Sequence, residues 1–182
     1  MEILKDKKIV FGITGSIAAY KVCDIVSFLV KNGANITCVL TDSAKEFVTV
    51  KTLETLSRNK VITELFPKAT DVDVEHVSLA EDNDLLVVAP ATANIISKFA
   101  AGIADDFLTT FFLANTAPVL IAPAMNSNMY QHKIIQANIK KLADLDVRFV
   151  EPEVGLLACG KEGVGRLADK EVIINSIYDI LF

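Results

Sequence analysis

Five short apolar runs punctuate the chain, and between them apolar positions recur every three to four residues. The first run, KKIVFGITGS, is rich in β-favouring residues up to Gly12, Gly15 and Ser16, and IAAYKVCDIVSFLVKNG follows at helical spacing. That order predicts a strand, a tight turn and an amphipathic helix. Gly33 ends the helix, because glycine takes the left-handed backbone of a helix terminus without a Cβ penalty. ANITCVLT is the next β-rich run, and DSAKEFVTVKTLETLSRN opens with Asp42 and Ser43, both good helix caps, so a second helix is expected there. DLLVVAPAT, PVLIAPAM and VRFVEPE are short and nearly all apolar, as strands are when a parallel sheet is covered on both faces. Helical segments are expected around Asn94 to Ala114, around Met129 to Leu145 and from about Asp169 to Leu181. The loop GLLACGKEGVGR, which holds four of the eight glycines, precedes the last of these and reads as too irregular to be core. The alternation predicts an α/β protein of 1–182 as a single domain: a doubly wound parallel sheet of flavodoxin or Rossmann type in three layers.

Composition narrows the picture. A chain of 182 residues that is 52% hydrophobic and 23% charged can bury a large core, which excludes a disordered or linker protein. With 23 acidic and 18 basic residues, a net charge of −5, an extended phosphate-binding face has no support, and nucleic acid is excluded as an expected partner. Cys23, Cys38 and Cys159 are an odd, sparse set without CxxC spacing, which fits neither a disulfide framework nor a structural zinc site and suits a reducing cytoplasm. MEILKDKKIV lacks the h-region and cleavage site of an export signal. Phe107 to Gln131 carries no formal charge, but Pro118, Pro123, Asn115, Asn126 and Asn128 interrupt it. It reads as a helix end, a buried strand and a loop rather than a membrane span.

Ligands of such sheets bind beyond the carboxyl ends of the strands, so the residues after each run are the ones to inspect. Gly15 and Ser16 sit at a strand-to-helix turn, where free N–H groups and the helix dipole favour an anion, although small residues also serve there simply to turn the chain. Ser43 is placed either to cap a helix or to bond a phosphate. APATAN and APAMNSNMY end two strands alike, with Asn94, Asn126 and Asn128 following; such amides either satisfy backbone groups at a strand end or face a ligand. His76 lies in DVEHVSLAED at a helix start, and His132 lies in a polar stretch; each is a surface residue or a proton acceptor. Cys23 and Cys38 fall in packing positions, whereas Cys159 lies beside Gly160 in the loop, where a thiol can reach a ligand.

In order along the chain, GSIAAYK, PATAN, PAMNSNMY and LACGKEGVGR resemble the motifs of the homo-oligomeric flavin-containing cysteine decarboxylases: a first FMN loop, PASANT, PxMNxxMW and a substrate clamp. Thr92 replaces a serine of the second motif and keeps its hydroxyl; Tyr130 replaces the tryptophan of the third. The resemblance implies FMN as cofactor, held by Gly15, Ser16, Ile17, Ser43, Phe47, Thr92, Ala93, Asn94, Ile95 and Ala124. It implies His76, Asn126 and Cys159 as catalytic residues, and Asn126, Met129, Ala158, Cys159, Lys161 and Arg166 around the substrate. The implied reaction oxidises a cysteine thiol to a thioaldehyde with FMN as oxidant, with His76 helping to remove the proton. Carbon dioxide then leaves from a carboxylate gripped by Asn126. Finally the enethiol is reduced, Cys159 giving a proton. Because Cys159 is present, the resemblance points to the branch that decarboxylates 4′-phosphopantothenoylcysteine in coenzyme A biosynthesis, over peptide-modifying relatives that stop at the enethiol. Flavin prenyltransferases match the third and fourth motifs less well, and non-catalytic relatives would not need His76, Asn126 and Cys159 together. The resemblance also implies a homo-oligomer, a trimer at least and in some relatives a dodecamer, and leaves open a stand-alone enzyme or one domain of a bifunctional protein. Lys161 and Arg166, in the clamp loop, are the candidates for the substrate phosphate, set against the reading that charged loop residues are simply solvated.

Overall fold

The computed structural model describes residues 3–65, 79–156, 160 and 162–182. Its main sheet has five parallel strands in the order β2-β1-β3-β4-β5: β1 Lys8–Ile13, β2 Asn35–Leu40, β3 Leu85–Ala91, β4 Val119–Pro123 and β5 Arg148–Phe149. That order is the flavodoxin type rather than the Rossmann type, and it reverses direction between β1 and β3.

The apolar runs are continuous because both faces of the sheet are covered. Ile9, Phe11, Ile13, Leu85, Val87 and Ala89 pack on one side with Val22, Ile25, Val26 and Leu29 of α1 (Ala19–Lys31), Leu53 of α2 (Val50–Ser57) and Ile173, Ile174 and Ile177 of the last helix, α7 (Lys170–Leu181). Val10, Leu86, Val88 and Ile121 point the other way, into Ile95, Ile96 and Phe99 of α3 (Ala93–Ala101), Phe107 and Phe111 of α4 (Phe107–Ala114) and Leu142 of α6 (Lys133–Ala143). Alternate residues of one strand thus feed two separate cores. Between α4 and α6 lie β4 and a single turn, α5 (Ser127–Tyr130).

Four expected elements take a different shape. The predicted helix from Asp42 is a 3-10 turn, Asp42–Glu46, followed by α2, whose cap is Thr49, accepting from the Thr52 N–H at 3.1 Å. The segment from Asn94 divides at Gly102, which holds φ +67°, and restarts at α4 under a capping box between Asp106 and Thr109. The segment from Met129 is the end of α5 and then α6, which His132 caps by accepting the Ile134 N–H at 3.3 Å. VRFVEPE contributes only the two paired residues of β5 at the sheet edge, with Arg148 exposed.

In the glycine-rich loop, β6 (Glu153–Leu156) and β7 (Glu162–Arg166) form an antiparallel hairpin. Its backbone is held from outside, since the Met125 N–H donates to the Gly165 carbonyl at 2.9 Å.

Candidate functional site

The carboxyl ends of β1, β3 and β4 carry the site, and Thr14 locks the first two together. This residue is buried at 2% exposure. Its hydroxyl donates to the Pro90 carbonyl at 2.6 Å and accepts the Thr92 N–H at 3.1 Å. Pro90 has no N–H for a ladder, and the β3–β4 register shifts between Val88 and Ala91. Thr14 therefore satisfies groups that the sheet leaves free exactly where ligands of this fold bind. Sequence reading missed Thr14; a polar residue ending an apolar strand was the available signal.

Two clefts open beyond this lock. The larger, about 730 Å³, includes Gly15, Ser43, Thr92, Asn94, Ile95 and Met129 in its wall. The smaller, about 560 Å³, includes Ser16, Ile17, Ala124, Asn126 and Arg166. The residues expected to hold FMN therefore lie on both sides of the β1 turn, and Met129, expected near the substrate, faces the larger cleft. Ala93 is buried as the first residue of α3, while Phe47, exposed beyond the 3-10 turn, lines neither cleft. His76, Ala158, Cys159 and Lys161 lie outside the described residues.

The β1 turn suits a phosphorylated group. Helix α1 follows Ala18, which offers no side-chain cap, and has no acidic residue in its first turn; the Ala18 N–H donates to Ser16 Oγ at 3.3 Å, and no side-chain charge of that turn neutralises the positive end of the dipole. A Cβ on Gly15 would collide with Ser43; glycine lets the two loops close to within contact. Among the described residues the Ser43 hydroxyl caps no helix, because Thr41 is the N-cap residue of the 3-10 turn, with no side-chain cap bond, and Thr49 caps α2. That removes the structural role weighed for Ser43 and leaves its exposed hydroxyl at the cleft. Two acids of the larger cleft are matched by lysines: Lys45 lies 2.8 Å from Asp42, and Lys98 lies 2.7 Å from Asp105. The hydrogen bond from Lys98 holds Asp105 below the usual carboxylate range. Asp106 is occupied in capping α4.

Asn126 is exposed and caps α5, its Oδ1 accepting the Asn128 N–H at 2.9 Å. Arg166 faces the same cleft with Nε 3.6 Å from Glu153 and one terminal nitrogen 3.5 Å from Asp169. Cys38 is buried, and desolvation, followed by repulsion from Cys23, pushes its thiol up to about 12; burial raises Cys23 as well. Neither is a thiolate near neutrality, in keeping with the packing role expected of both. Among the described residues no cluster of three or more His, Cys, Asp or Glu is placed to hold a metal, and no helix is long and apolar enough to cross a membrane.

The sequence profile of the Flavoprotein family matches residues 2–182. The chain belongs to the Flavoprotein family. This family member is 46% identical over 173 residues to the coenzyme A biosynthesis bifunctional protein CoaBC of Bacillus subtilis (strain 168), covering 95% of this chain and 43% of that protein. It is 38% identical over 177 residues to the probable phosphopantothenoylcysteine decarboxylase of Streptococcus mutans, covering 96% of this chain and 99% of that one. The chain spans less than half the length of the bifunctional relatives, 43% and 44% for two of them. Among solved structures, a PPC decarboxylase mutant complexed with pantothenoylaminoethenethiol superposes with a TM-score of 0.84 at 27% identity, covering 96% of this chain and 97% of that one. The FMN-dependent cysteine decarboxylase SpaF gives a TM-score of 0.80 at 29% identity, covering 96% and 99%.

Proposed function

We propose that this Flavoprotein-family chain is an FMN-dependent decarboxylase that converts 4′-phosphopantothenoylcysteine to 4′-phosphopantetheine. The observation that carries the reading is the convergence, at the β1/β3 switch point, of an uncapped helix N-terminus, the Gly15–Ser43 close approach and the Thr14-locked PATAN turn. That cradle fits a flavin phosphate: partial positive charge, a hydroxyl and no Cβ in the way. Similarity to the streptococcal decarboxylase over nearly the whole of both chains supports the substrate.

In this reading Gly15, Ser16, Ile17, Ser43, Phe47, Thr92, Ala93, Asn94, Ile95 and Ala124 hold FMN, which supplies a two-electron oxidant for the substrate thiol and returns the electrons after decarboxylation. His76 takes the thiol proton as the C–S carbon is oxidised to the thioaldehyde. The C=S group then stands β to the carboxylate and accepts the electron pair of the breaking C–C bond. Asn126, beside Met129, holds that carboxylate by its amide. The resulting enethiol regains two electrons and two protons, one of them from Cys159 Sγ. Ala158, Lys161 and Arg166 bind the substrate in the same reading, with Lys161 and Arg166 the candidates for its phosphate. Arg166 is already shared between two carboxylates, so its share of that role requires Glu153 or Asp169 to release it.

The chain acts as one domain, residues 1–182, in the cytoplasm and as a homo-oligomer, a trimer or trimers gathered into a dodecamer. Ile17 and Leu156, 56% and 68% exposed in the wall of the smaller cleft, and Val154, 75% exposed on β6, support a neighbouring copy there.

Cys159→Ser separates the branches of the reaction. Incubated with 4′-phosphopantothenoylcysteine, it should release carbon dioxide and accumulate the enethiol; normal yields of 4′-phosphopantetheine would remove Cys159 from the reductive step.

A further inference from the structure

The turn that carries Asn126 rests on the segment around the β6–β7 hairpin. Helix α5 has no fully buried residue of its own, and Met125 just before it packs part-buried on the core. Among the described residues three further contacts tie the turn to that segment. The Met125 N–H donates to the Gly165 carbonyl at 2.9 Å. Ser127 packs so closely on Gly163 that a Cβ there would overlap its hydroxyl oxygen. At the far end of the turn, the Tyr130 hydroxyl donates to Glu151 Oε2 at 2.8 Å, two residues before β6 begins. The backbone of Tyr130 is fixed separately, its carbonyl accepting from Gln136 Nε2 at 2.6 Å and its N–H donating to the Asn126 carbonyl at 2.9 Å.

We infer that Tyr130 is a positioning residue: through Glu151 it latches the Asn126 turn to the base of the β6–β7 hairpin, so that the Asn126 amide and the two strands of the hairpin move as one body. The inference rests on the decarboxylase reading for its kinetic consequence, but the latch itself is a property of the fold. A phenol donating to a carboxylate is a charge-assisted bond. Burial and the neighbouring Glu151 push the Tyr130 hydroxyl up to about 12, so it remains a donor across the neutral range. Met125 and Gly165 join by backbone atoms and Ser127 by packing, whereas the Tyr130 bond is removed by one oxygen.

The test compares Tyr130→Phe, Glu151→Leu, Glu151→Gln and the double variant Tyr130→Phe/Glu151→Leu in the FMN-loaded protein. Tyr130→Phe should lower kcat/KM for 4′-phosphopantothenoylcysteine about tenfold, as loss of one charge-assisted hydrogen bond does, with FMN content and Tm unchanged. Glu151→Leu should match it, the double variant should be no worse, and Glu151→Gln, which keeps an acceptor, should stay within about twofold of the parent. Amide exchange gives a readout independent of activity: exchange at Met125 and along 162–166 should quicken in Tyr130→Phe while β1 and β3 are unaffected. Parent-like kinetics together with parent-like exchange would overturn the latch, as would parallel losses of FMN, Tm and activity. If the parent protein does not decarboxylate this substrate, the substrate assignment fails, and the exchange result alone decides the latch.

Discussion

The chain ends two neighbouring strands in almost the same residues, Ala89-Pro90-Ala91-Thr92-Ala93-Asn94 on β3 and Ala122-Pro123-Ala124-Met125-Asn126 on β4, and anchors the two ends by different means. At the first, Thr92 caps a nine-residue helix that buries Ile95, Ile96 and Phe99, and Thr14 fixes the turn from the neighbouring strand. At the second, Asn126 caps a four-residue turn that has no fully buried residue and leans on a glycine hairpin. Core packing makes the first end rigid, as a cradle for a cofactor phosphate needs to be. Backbone and polar contacts hold the second, where the proposed reading has the substrate enter and leave. A shared motif therefore specifies the strand end and its amide, while the elements packed behind it set how firmly that amide is held.

That contrast can be broken in order of effect. Asn126→Asp places a negative charge against the substrate carboxylate, so carbon dioxide release should fall at least ~100-fold while the flavin absorbance, a property of the other strand end, is retained. Turnover close to that of the parent would remove the carboxylate from Asn126. Gly165→Ala comes next. Its φ of +130° is poorly suited to a side chain, and the new Cβ would collide with the Met125 carbonyl, so a loss of about 2–3 kcal/mol in urea unfolding is expected. Gly102→Ala, at φ +67° with nothing within 4 Å, should cost only about 1 kcal/mol; equal losses at the two sites would mean that hairpin docking is not tight.

Thr14→Val tests the rigid end. It leaves the Pro90 carbonyl and the Thr92 N–H without their partner in a buried place, which should cost about 1–3 kcal/mol and weaken FMN binding in a titration. FMN affinity equal to that of the parent would dissociate the lock from the cradle. The smallest effect belongs to Ser127→Ala. Among the described residues the buried Ser127 hydroxyl has no hydrogen-bond partner, so its removal should change stability by no more than about 0.5 kcal/mol; a drop beyond about 1 kcal/mol would reveal a bond made by that hydroxyl in solution.

Much of this architecture is legible in the residues. Strands β1 to β4 stand out because burial on both faces makes them unbroken apolar runs, and the site loops follow because ligands of this fold gather at strand ends. Other features depend on contacts that are distant in sequence. DSAKEFVTVKTLETLSRN offers Asp42, Ser43 and Thr49 as possible caps, and only the packing of Leu53 on the core places the helix start at Thr49. The apolar run VRFVEPE gives no sign that its strand is at an edge, where two residues pair. The hairpin is written in residues that disfavour strands, and it holds its shape against the β4 loop through Gly165 and Met125. The strand order that selects the flavodoxin type over the Rossmann type is likewise a matter of long-range pairing.

Whether the β1/β3 junction holds FMN is decided by the visible absorption spectrum of the purified protein, followed by identification of the cofactor released by heat. A flavin spectrum, release of FMN, and recovery of the spectrum when FMN is added back to stripped protein are expected. A colourless protein that takes up no added FMN would contradict FMN binding there, at the first step of the chemistry.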